Sequence, residues 1–238
     1  MGDQKREHEE LVAVLNDQEN RAAYKAGCDG VKVSVLPKIL GGLLVWSGNA
    51  LYGEKPSYLK FRAVEVIARV PYHSWAAVAH TLLTLFYTDE KRALKLCEDN
   101  NFARLSQENE TMHVVVISKL ARENGPKASP VIHTLIPMLF AFFYYWTSYL
   151  MYLVKPVWSL QLNYLFEDHA YIQYERFLKE NEEQLKNTIV ASDFLLWYGR
   201  DPKNQYEFFE SVRNDELIHR NKSIRAAENG NAARAASK

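Results

Sequence analysis

The sequence is poor in cysteine, glycine and proline, and each scarcity excludes a class of protein. Two cysteines among 238 residues, Cys28 and Cys97, cannot form a disulfide framework, and we interpret both as small buried apolar residues. Only 10 glycines and 8 prolines favour helices over an all-β fold. Neither sign of charge is in excess, because 29 Lys and Arg residues balance 29 Asp and Glu residues. The chain therefore has no electrostatic basis for binding nucleic acid.

The two ends of the chain lack the composition of a targeting segment. The first twenty residues mix both signs of charge without an apolar h-region, which argues against a secretory signal, and their acids argue against an organelle transit peptide. The tail, residues 225–238, is small and polar. We therefore expect a single domain over residues 1–238, with a core over residues 56–226 and frayed ends.

Two stretches of helical character repeat the pattern Glu-x-x-His. Glu110 precedes His113 in "QENETMHVVV", and Glu216 precedes His219 in "SVRNDELIHRNK". On an α-helix this spacing places a carboxylate and an imidazole on the same face, one turn apart. Either pair alone could be an ordinary surface pair, so a metal-binding interpretation needs further ligands at helical spacing.

Two further glutamates, Glu65 and Glu167, provide those ligands on separate predicted helices. Pro71 should kink or break the first of these helices. The order along the chain is then Glu, Glu-x-x-His, Glu, Glu-x-x-His, which is the ligand set of ferritin-like di-iron or di-manganese carboxylate bundles. The predicted helices that carry the four motifs are residues 56–88, 90–123, 157–188 and 203–226.

Burial gives a second argument for a metal centre. Glu65 lies in "FRAVEVIARVPY" and Glu167 in "LNYLFEDHAYIQY", and neither context fits a solvated helix face. Buried carboxylates would repel one another, and two cations would remove that repulsion. Carboxylates and imidazoles together suit two iron ions, with positions left open for dioxygen. We predict an all-α, ferritin-like four-helix bundle whose six metal ligands are Glu65, Glu110, His113, Glu167, Glu216 and His219.

A long apolar segment, residues 128–154, has the length of a membrane-spanning helix but cannot be one if the metal site exists. Its 27 residues include no Asp, Glu, Lys or Arg. One crossing would place half of the predicted ligands on each side of the bilayer. We therefore expect the segment to lie in the membrane interface, as its many Tyr and Trp residues favour, with residues 35–53 alongside. The alternative is a pair of core helices in a soluble protein.

Four short motifs resemble those of the alternative oxidase family. They are "VEVIARVPY", "ENETMH", "FEDHAYIQYERFLK" and "RNDELIH", within about residues 56–226. The forms "ARVPY" and "HAY" are closer to the plastid terminal oxidase branch than to the mitochondrial branch. The resemblance implies a non-haem di-iron enzyme that oxidises plastoquinol or ubiquinol and reduces dioxygen to water without pumping protons. It also implies a homodimer bound to one face of a lipid bilayer, on the cytoplasmic or stromal side of a cytoplasmic or thylakoid membrane.

The resemblance also assigns roles to residues beyond the metal ligands. Tyr174 matches the family's tyrosine near the metals, where it would donate an electron or a proton. Asp215 matches an acid that orients a ligand imidazole. His80, fifteen residues after Glu65, and Tyr152, fifteen before Glu167, fall at positions that the plastid branch uses. A satisfied helix histidine remains the alternative for His80.

The chain departs from the family pattern at three points. Val64 stands where the family usually has Leu, "WYGRDPKNQYEFF" leaves no room for the loop that plastid enzymes insert before the last motif, and no transit peptide is evident. These departures suggest a bacterial, viral or mature form, and they leave the quinone preference open.

Two other functions share parts of this pattern. A di-iron quinone-ring hydroxylase can use the same ligand order, and a ferritin-type bundle binds iron without turning over quinol. "ARVPY" and Tyr174 favour the oxidase over the hydroxylase, and the aromatic apolar segment argues against a soluble cage.

Overall fold

The chain folds into helices. The computed structural model describes residues 2–236, with side chains described through residue 229, and no strand occurs within that range. This result confirms the predicted all-α fold. The helices are α1 (Gly2–Val14), α2 (Gln18–Ala26), α3 (Val35–Tyr52), α4 (Tyr58–Ala68), α5 (Val70–Phe86), α6 (Glu90–Asn124), α7 (Ile136–Val154), α8 (Pro156–Glu180), α9 (Glu182–Lys186), α10 (Asp193–Tyr198) and α11 (Gln205–Ala236), and a π-helical turn, Val131–Leu135, precedes α7.

The break expected at Pro71 lies two residues earlier, at Arg69, which ends α4 and begins α5. Pro71 then occupies the first turn of α5, where its missing N–H has no intrahelical partner to lose. Side chains cap the N-terminus of α4 and that of α6, the helix that follows α5. Ser57 Oγ accepts the Lys60 backbone N–H at 3.2 Å, and Asp89 Oδ1 accepts that of Arg92 at 3.1 Å, which fixes where α4 and α6 begin.

A four-helix bundle forms the centre of the fold. The antiparallel helices α8 and α11 pack along each other, α6 packs against α4 and α5, and these two groups face one another. Two apolar clusters fill the bundle at different heights. One is built on Phe61, Tyr174 and Phe209, and the other on Tyr72 and Trp75. On α8 and α11 the predicted ligands lie between the residues of these two clusters, so a polar layer is enclosed by apolar layers above and below it.

Helices α3 and α7 lie outside the bundle and leave large apolar side chains uncovered. α3 packs on α8 and α7 packs on α4, α5 and α8, while the Tyr52 hydroxyl of α3 donates to the Ile132 carbonyl at 2.9 Å. Within the described chain, one helical stretch, Val131–Val154, is long and apolar enough to cross a membrane. The exposed apolar residues of α3 and α7 include Val35, Ile39, Leu43, Trp46, Met138, Phe142, Phe143, Trp146 and Leu150.

The N-terminal residues, for which we expected a frayed end, form helices α1 and α2. Helices α1 and α2 pack on α11, with Val12 and Leu15 buried against Leu217 and Ile218. The composition is charged because only one face of α1 is buried. At the other end, α11 continues to Ala236, beyond the predicted core boundary at residue 226, and residues 237–238 lie outside the described chain. Of the cysteines, Cys28 is buried as expected, but Cys97 is exposed, so that part of the prediction is wrong.

Candidate metal centre

The six predicted ligand side chains converge in the polar layer of the bundle. α4 contributes Glu65, α6 contributes Glu110 and His113, α8 contributes Glu167, and α11 contributes the remaining pair. Each of the six is at most 2% exposed, which is exceptional for carboxylates. The helical spacing explains the convergence, because residues three apart project from the same face of α6 and of α11.

These side chains form two overlapping groups, each able to hold one metal ion. Ligand atoms of Glu65, Glu110, His113 and Glu216 lie within 4.8 Å of one another, and so do those of Glu110, Glu167, Glu216 and His219. Glu110 and Glu216 belong to both groups, so these two carboxylates could bridge a pair of ions. The structure therefore has the donor arrangement of a dinuclear site with two terminal carboxylates and two imidazoles.

The hydrogen-bonding state of these atoms supports a fit to metal cations. Neither carboxylate oxygen of Glu110 or Glu216 makes a hydrogen bond of good geometry among the described residues, although His219 Nδ1 lies 2.8 Å from Glu110 Oε1. Glu65 Oε2, Glu167 Oε2 and His113 Nδ1 are also without a hydrogen bond. Buried polar atoms are normally paired, and each unpaired group costs about 1–3 kcal/mol. Several such atoms directed at one small volume are the donor set that divalent cations satisfy.

Electrostatics within the cluster leads to the same conclusion. Burial raises the pKa of Glu65 and Glu167, and burial together with the charges of Glu110 and Glu167 raises the pKa of Glu216 well above its usual value. Burial lowers the pKa of His219 to about 3, so this imidazole is uncharged and a ring nitrogen can bind a metal ion. A cation between the carboxylates would favour their ionised forms and lower the raised pKa values of Glu65, Glu167 and Glu216, and it would keep the His219 imidazole neutral.

Asp215 anchors the imidazole of His113 from outside the cluster. Its Oδ2 lies 2.9 Å from His113 Nε2, which leaves His113 Nδ1 directed at Glu216 Oε1, 3.3 Å away. Burial alone would raise the pKa of Asp215, but the Arg200 guanidinium and the hydrogen bonds it receives hold that pKa well below its usual range. The carboxylate is thus an ionised acceptor, as the role assigned to Asp215 requires.

Tyr174 lies at the edge of the cluster and donates its hydroxyl hydrogen bond to Glu65 Oε1. Its ring stacks on Phe61 with centroids 4.1 Å apart, which fixes the direction of the hydroxyl. Burial, with the adjacent charge of Glu65, raises the pKa of Tyr174 well above its usual value, so the phenol is protonated at neutral pH.

A second buried tyrosine, Tyr72, contacts the opposite side of the cluster and was not among the predicted site residues. Its hydroxyl donates to Glu167 Oε1 at 2.7 Å and accepts from Asn163 Nδ2 at 2.9 Å, and its ring lies 5.2 Å from that of His219. The sequence did contain a signal. Tyr72 follows Glu65 by seven residues, the spacing that also relates Glu167 to Tyr174.

The structure does not bring Tyr152 or His80 to the metal ligands. Tyr152 stacks on Trp75 at 5.4 Å between ring centroids, and Trp75 in turn contacts Tyr72 edge-on at 5.2 Å, so Tyr152 is connected to the cluster only through other rings. The side chain of His80 is exposed on α5. Neither residue shares a helix with the glutamate fifteen positions away, because His80 lies on α5 and Glu65 on α4, while Tyr152 lies on α7 and Glu167 on α8.

An apolar cavity opens beside Tyr174 and Glu65. Helices α3, α4 and α8 line a small cavity of about 40 Å³, which lies within about 470 Å³ of space that includes open solvent. The polar atoms at its wall are few. Lys60 is held by Asn49 Oδ1 at 2.9 Å and the Gly53 carbonyl at 2.8 Å. The cavity therefore offers a mostly apolar ligand a route to within contact of the tyrosine that touches the metal ligands. Its other lining residues include Leu44, Val45, Gly48, Val64, Phe166, His169, Ala170 and Gln173.

Comparison with known proteins gives an independent result. The sequence model of a family described as "Alternative oxidase" matches residues 33–228. A curated protein from Arabidopsis thaliana, "Ubiquinol oxidase 4, chloroplastic/chromoplastic", is 27% identical over 201 residues, which cover 76% of this chain. The aligned region is 53% of that protein, so this chain spans about half the length of the curated relative it matches.

Proposed function

This chain belongs to the alternative oxidase family, as its four motifs predicted, and from this premise we propose that it is a quinol oxidase that reduces dioxygen to water. Two quinols would supply four electrons and four protons, and one dioxygen would take them up to give two waters. The observation that carries the proposal is the pair of overlapping carboxylate–imidazole groups at the centre of the bundle, with their buried oxygens unpaired.

We propose two iron ions as the cofactor. Glu65 and His113 would hold one ion, Glu167 and His219 the other, and the shared carboxylates Glu110 and Glu216 would bridge them. When bound, the iron pair would supply the redox chemistry with dioxygen. Asp215 binds His113 Nε2 and so fixes the direction of the imidazole. His113 Nδ1, not Nε2, would therefore face the ions.

The apolar cavity is the proposed quinol site. Its walls suit an isoprenoid-substituted ring, and the Tyr174 hydroxyl lies between the cavity and Glu65. In this position the phenol can pass a proton to Glu65 Oε1 and take one from a bound quinol. Likeness to the plastid branch supports plastoquinol as the substrate, and ubiquinol is the alternative to be compared with it.

We further propose one domain that attaches to a single face of a membrane, as a homodimer. The exposed apolar residues of α3 and α7 would enter the lipid interface while the ligands on either side of α7 remain together in the bundle. Cysteine labelling at positions 127 and 155 tests the topology. Labelling of both positions from the same side of a sealed vesicle is expected, and labelling from opposite sides would rule out the four-helix metal site.

Quinol-dependent oxygen uptake by the purified, iron-loaded protein tests the function. An oxidase consumes oxygen and returns an unaltered quinone ring, a hydroxylase adds oxygen to the ring, and a ferritin-type protein turns over no quinol. Product analysis by mass spectrometry separates the three. Recovery of a hydroxylated ring, or no quinol turnover by protein that holds about two irons per chain, would exclude the proposed reaction.

A further inference from the structure

The N-terminal arm, residues 2–30, is bonded to the part of α11 that carries metal ligands, although it precedes the residues that match the family. Two positions before Glu216, the Asn214 amide donates to the Val12 carbonyl at 3.0 Å, and two positions after His219, the Asn221 amide donates to the Tyr24 carbonyl at 2.6 Å. The arm therefore holds this segment of α11 on both sides of its Glu-x-x-His pair.

One residue of the arm, His8, contacts the acid that orients the predicted ligand His113. His8 is 3% exposed, and its Nε2 lies 2.8 Å from Asp215 Oδ1. Since the Asp215 carboxylate can only accept hydrogen bonds when ionised, His8 is the donor in this contact. The His8 ring also lies 5.9 Å from the ring of His219, so it contacts the surroundings of both predicted ligand imidazoles.

The bonding of Asp215 shows what His8 adds. Oδ2 receives His113 Nε2 at 2.9 Å and Asn109 Nδ2 at 3.1 Å, whereas Oδ1 receives His8 at 2.8 Å, and Arg200 spans both oxygens. His8 thus donates a hydrogen bond to Oδ1, the carboxylate oxygen that His113 does not contact. Without His8, Oδ1 would keep only the Arg200 donor while Oδ2 would keep three donors, so the carboxylate would be held less firmly and would orient the His113 imidazole less strictly.

The residue next to His8 supports the same carboxylate indirectly. Glu9 accepts from Arg200 Nε at 2.8 Å and from Nη2 at 3.0 Å, a two-point contact that fixes the guanidinium on Asp215. His8 therefore holds Asp215 directly, and the adjacent Glu9 holds it through Arg200.

We propose that His8 is a positioning residue of the metal centre, through which the N-terminal arm fixes Asp215 and thereby the direction of His113 Nδ1. This inference rests on the proposed metal-binding function. It makes the arm a part of the site, although the arm provides no ligand.

Two pairs of variants of the full chain test the inference. His8→Phe fills the space without a donor, while His8→Gln keeps an amide N–H near the position of Nε2. Val14→Ala, at a 51% exposed position of the same helix, is the control for general effects of changing α1. If His8→Phe does not accumulate as folded protein, His8→Asn replaces it, because its amide is one methylene too short to reach Asp215.

The readout is Fe²⁺ affinity, measured anaerobically in competition with a chelator, and it requires no quinol turnover. We expect His8→Phe or His8→Asn to weaken Fe²⁺ binding by about 10–100-fold, and His8→Gln and Val14→Ala to remain within about threefold of the wild type. Melting temperatures should differ between His8→Phe and His8→Gln in the iron-loaded protein and agree in the metal-free protein.

The possible failures are distinguishable. Wild-type protein that binds no Fe²⁺ would remove the proposed metal centre and this inference with it. Wild-type binding together with unchanged affinity in His8→Phe would overturn only the role of His8. Equal losses in His8→Phe and His8→Gln, or an equal drop in melting temperature with and without iron, would show that His8 acts through packing.

Discussion

Replacing Glu110 by Gln should have opposite effects on stability with and without metal. The side chain is 0% exposed and neither oxygen makes a hydrogen bond of good geometry among the described residues, so in metal-free protein it is a desolvated group near three other carboxylates. Gln has the same shape, removes one ionisable group and can donate to a neighbouring carboxylate. We expect metal-free Glu110→Gln to be more stable than metal-free wild type by about 1–3 kcal/mol.

With iron the order should reverse. A ligand at one hundred times its dissociation constant stabilises the folded state by about 2.7 kcal/mol per site, and Glu110 belongs to both groups of ligands. The variant loses a bridging carboxylate, so it should lose most of that stabilisation at both sites, together with its quinol-dependent oxygen uptake.

Thermal unfolding with and without Fe²⁺ measures both effects, at roughly 2–4 °C for each kcal/mol in a chain of this size. Glu123→Gln is the matched control, because Glu123 lies on the same helix with its side chain 52% exposed, and it should change stability by less than about 0.5 kcal/mol in either state. A metal-free Glu110→Gln protein less stable than the wild type, or a variant that keeps two irons and normal turnover, would refute the reasoning.

Three further predictions concern the tyrosines and the membrane face. Tyr174→Phe keeps the stacked ring but removes the transferable proton, so iron should be retained and turnover should fall by about 10²-fold, whereas normal turnover would show that the hydroxyl only packs. Tyr72→Phe should weaken Fe²⁺ binding by about tenfold in a chelator competition, because Glu167 Oε1 loses the shorter of its two hydrogen bonds and keeps only that from Asn163; equal affinity would count against a role at the site. Trp46→Glu, on α3, should release the protein from lipid vesicles in a flotation assay, and Trp197→Glu, a comparably exposed tryptophan on α10, should not; equal release by both would argue against α3 as the attachment face.

The sequence predicted what depends on local spacing. The Glu-x-x-His pairs, the break near Pro71 and the two apolar stretches each depend on residues that are near one another in the sequence, and each has its counterpart in the structure. Contacts between distant parts of the chain were not predictable in this way. His8 and Asp215 are 207 residues apart, and His8 lies in a segment whose charged composition suggested a frayed end.

The roles of His80 and Tyr152 came from the family resemblance, which places both at positions that the plastid branch uses, and they stay predictions. Sequence spacing from a glutamate does not give their distance from it in the fold, because a helix ends at Ala68 and a new one begins at Val70 between Glu65 and His80, and Tyr152 and Glu167 also lie on different helices. Tyr72 was missed although its spacing from Glu65 repeats that of Tyr174 from Glu167, because its hydrogen bond to Glu167 forms only when α5 packs against α8.

Helix α3 has one further consequence for kinetics under the proposed function. Leu43 and Trp46 of this helix are exposed on its outer side, while Leu44 and Val45 line the cavity that reaches Tyr174. When the protein is bound to a membrane as proposed, only helix α3 would separate the lipid from the apolar cavity. A quinol would then pass from the lipid to the cavity without entering water. The enzyme would then respond to the number of quinols per lipid molecule. Adding empty vesicle lipid at a fixed total quinol concentration should therefore slow the enzyme in proportion to the dilution.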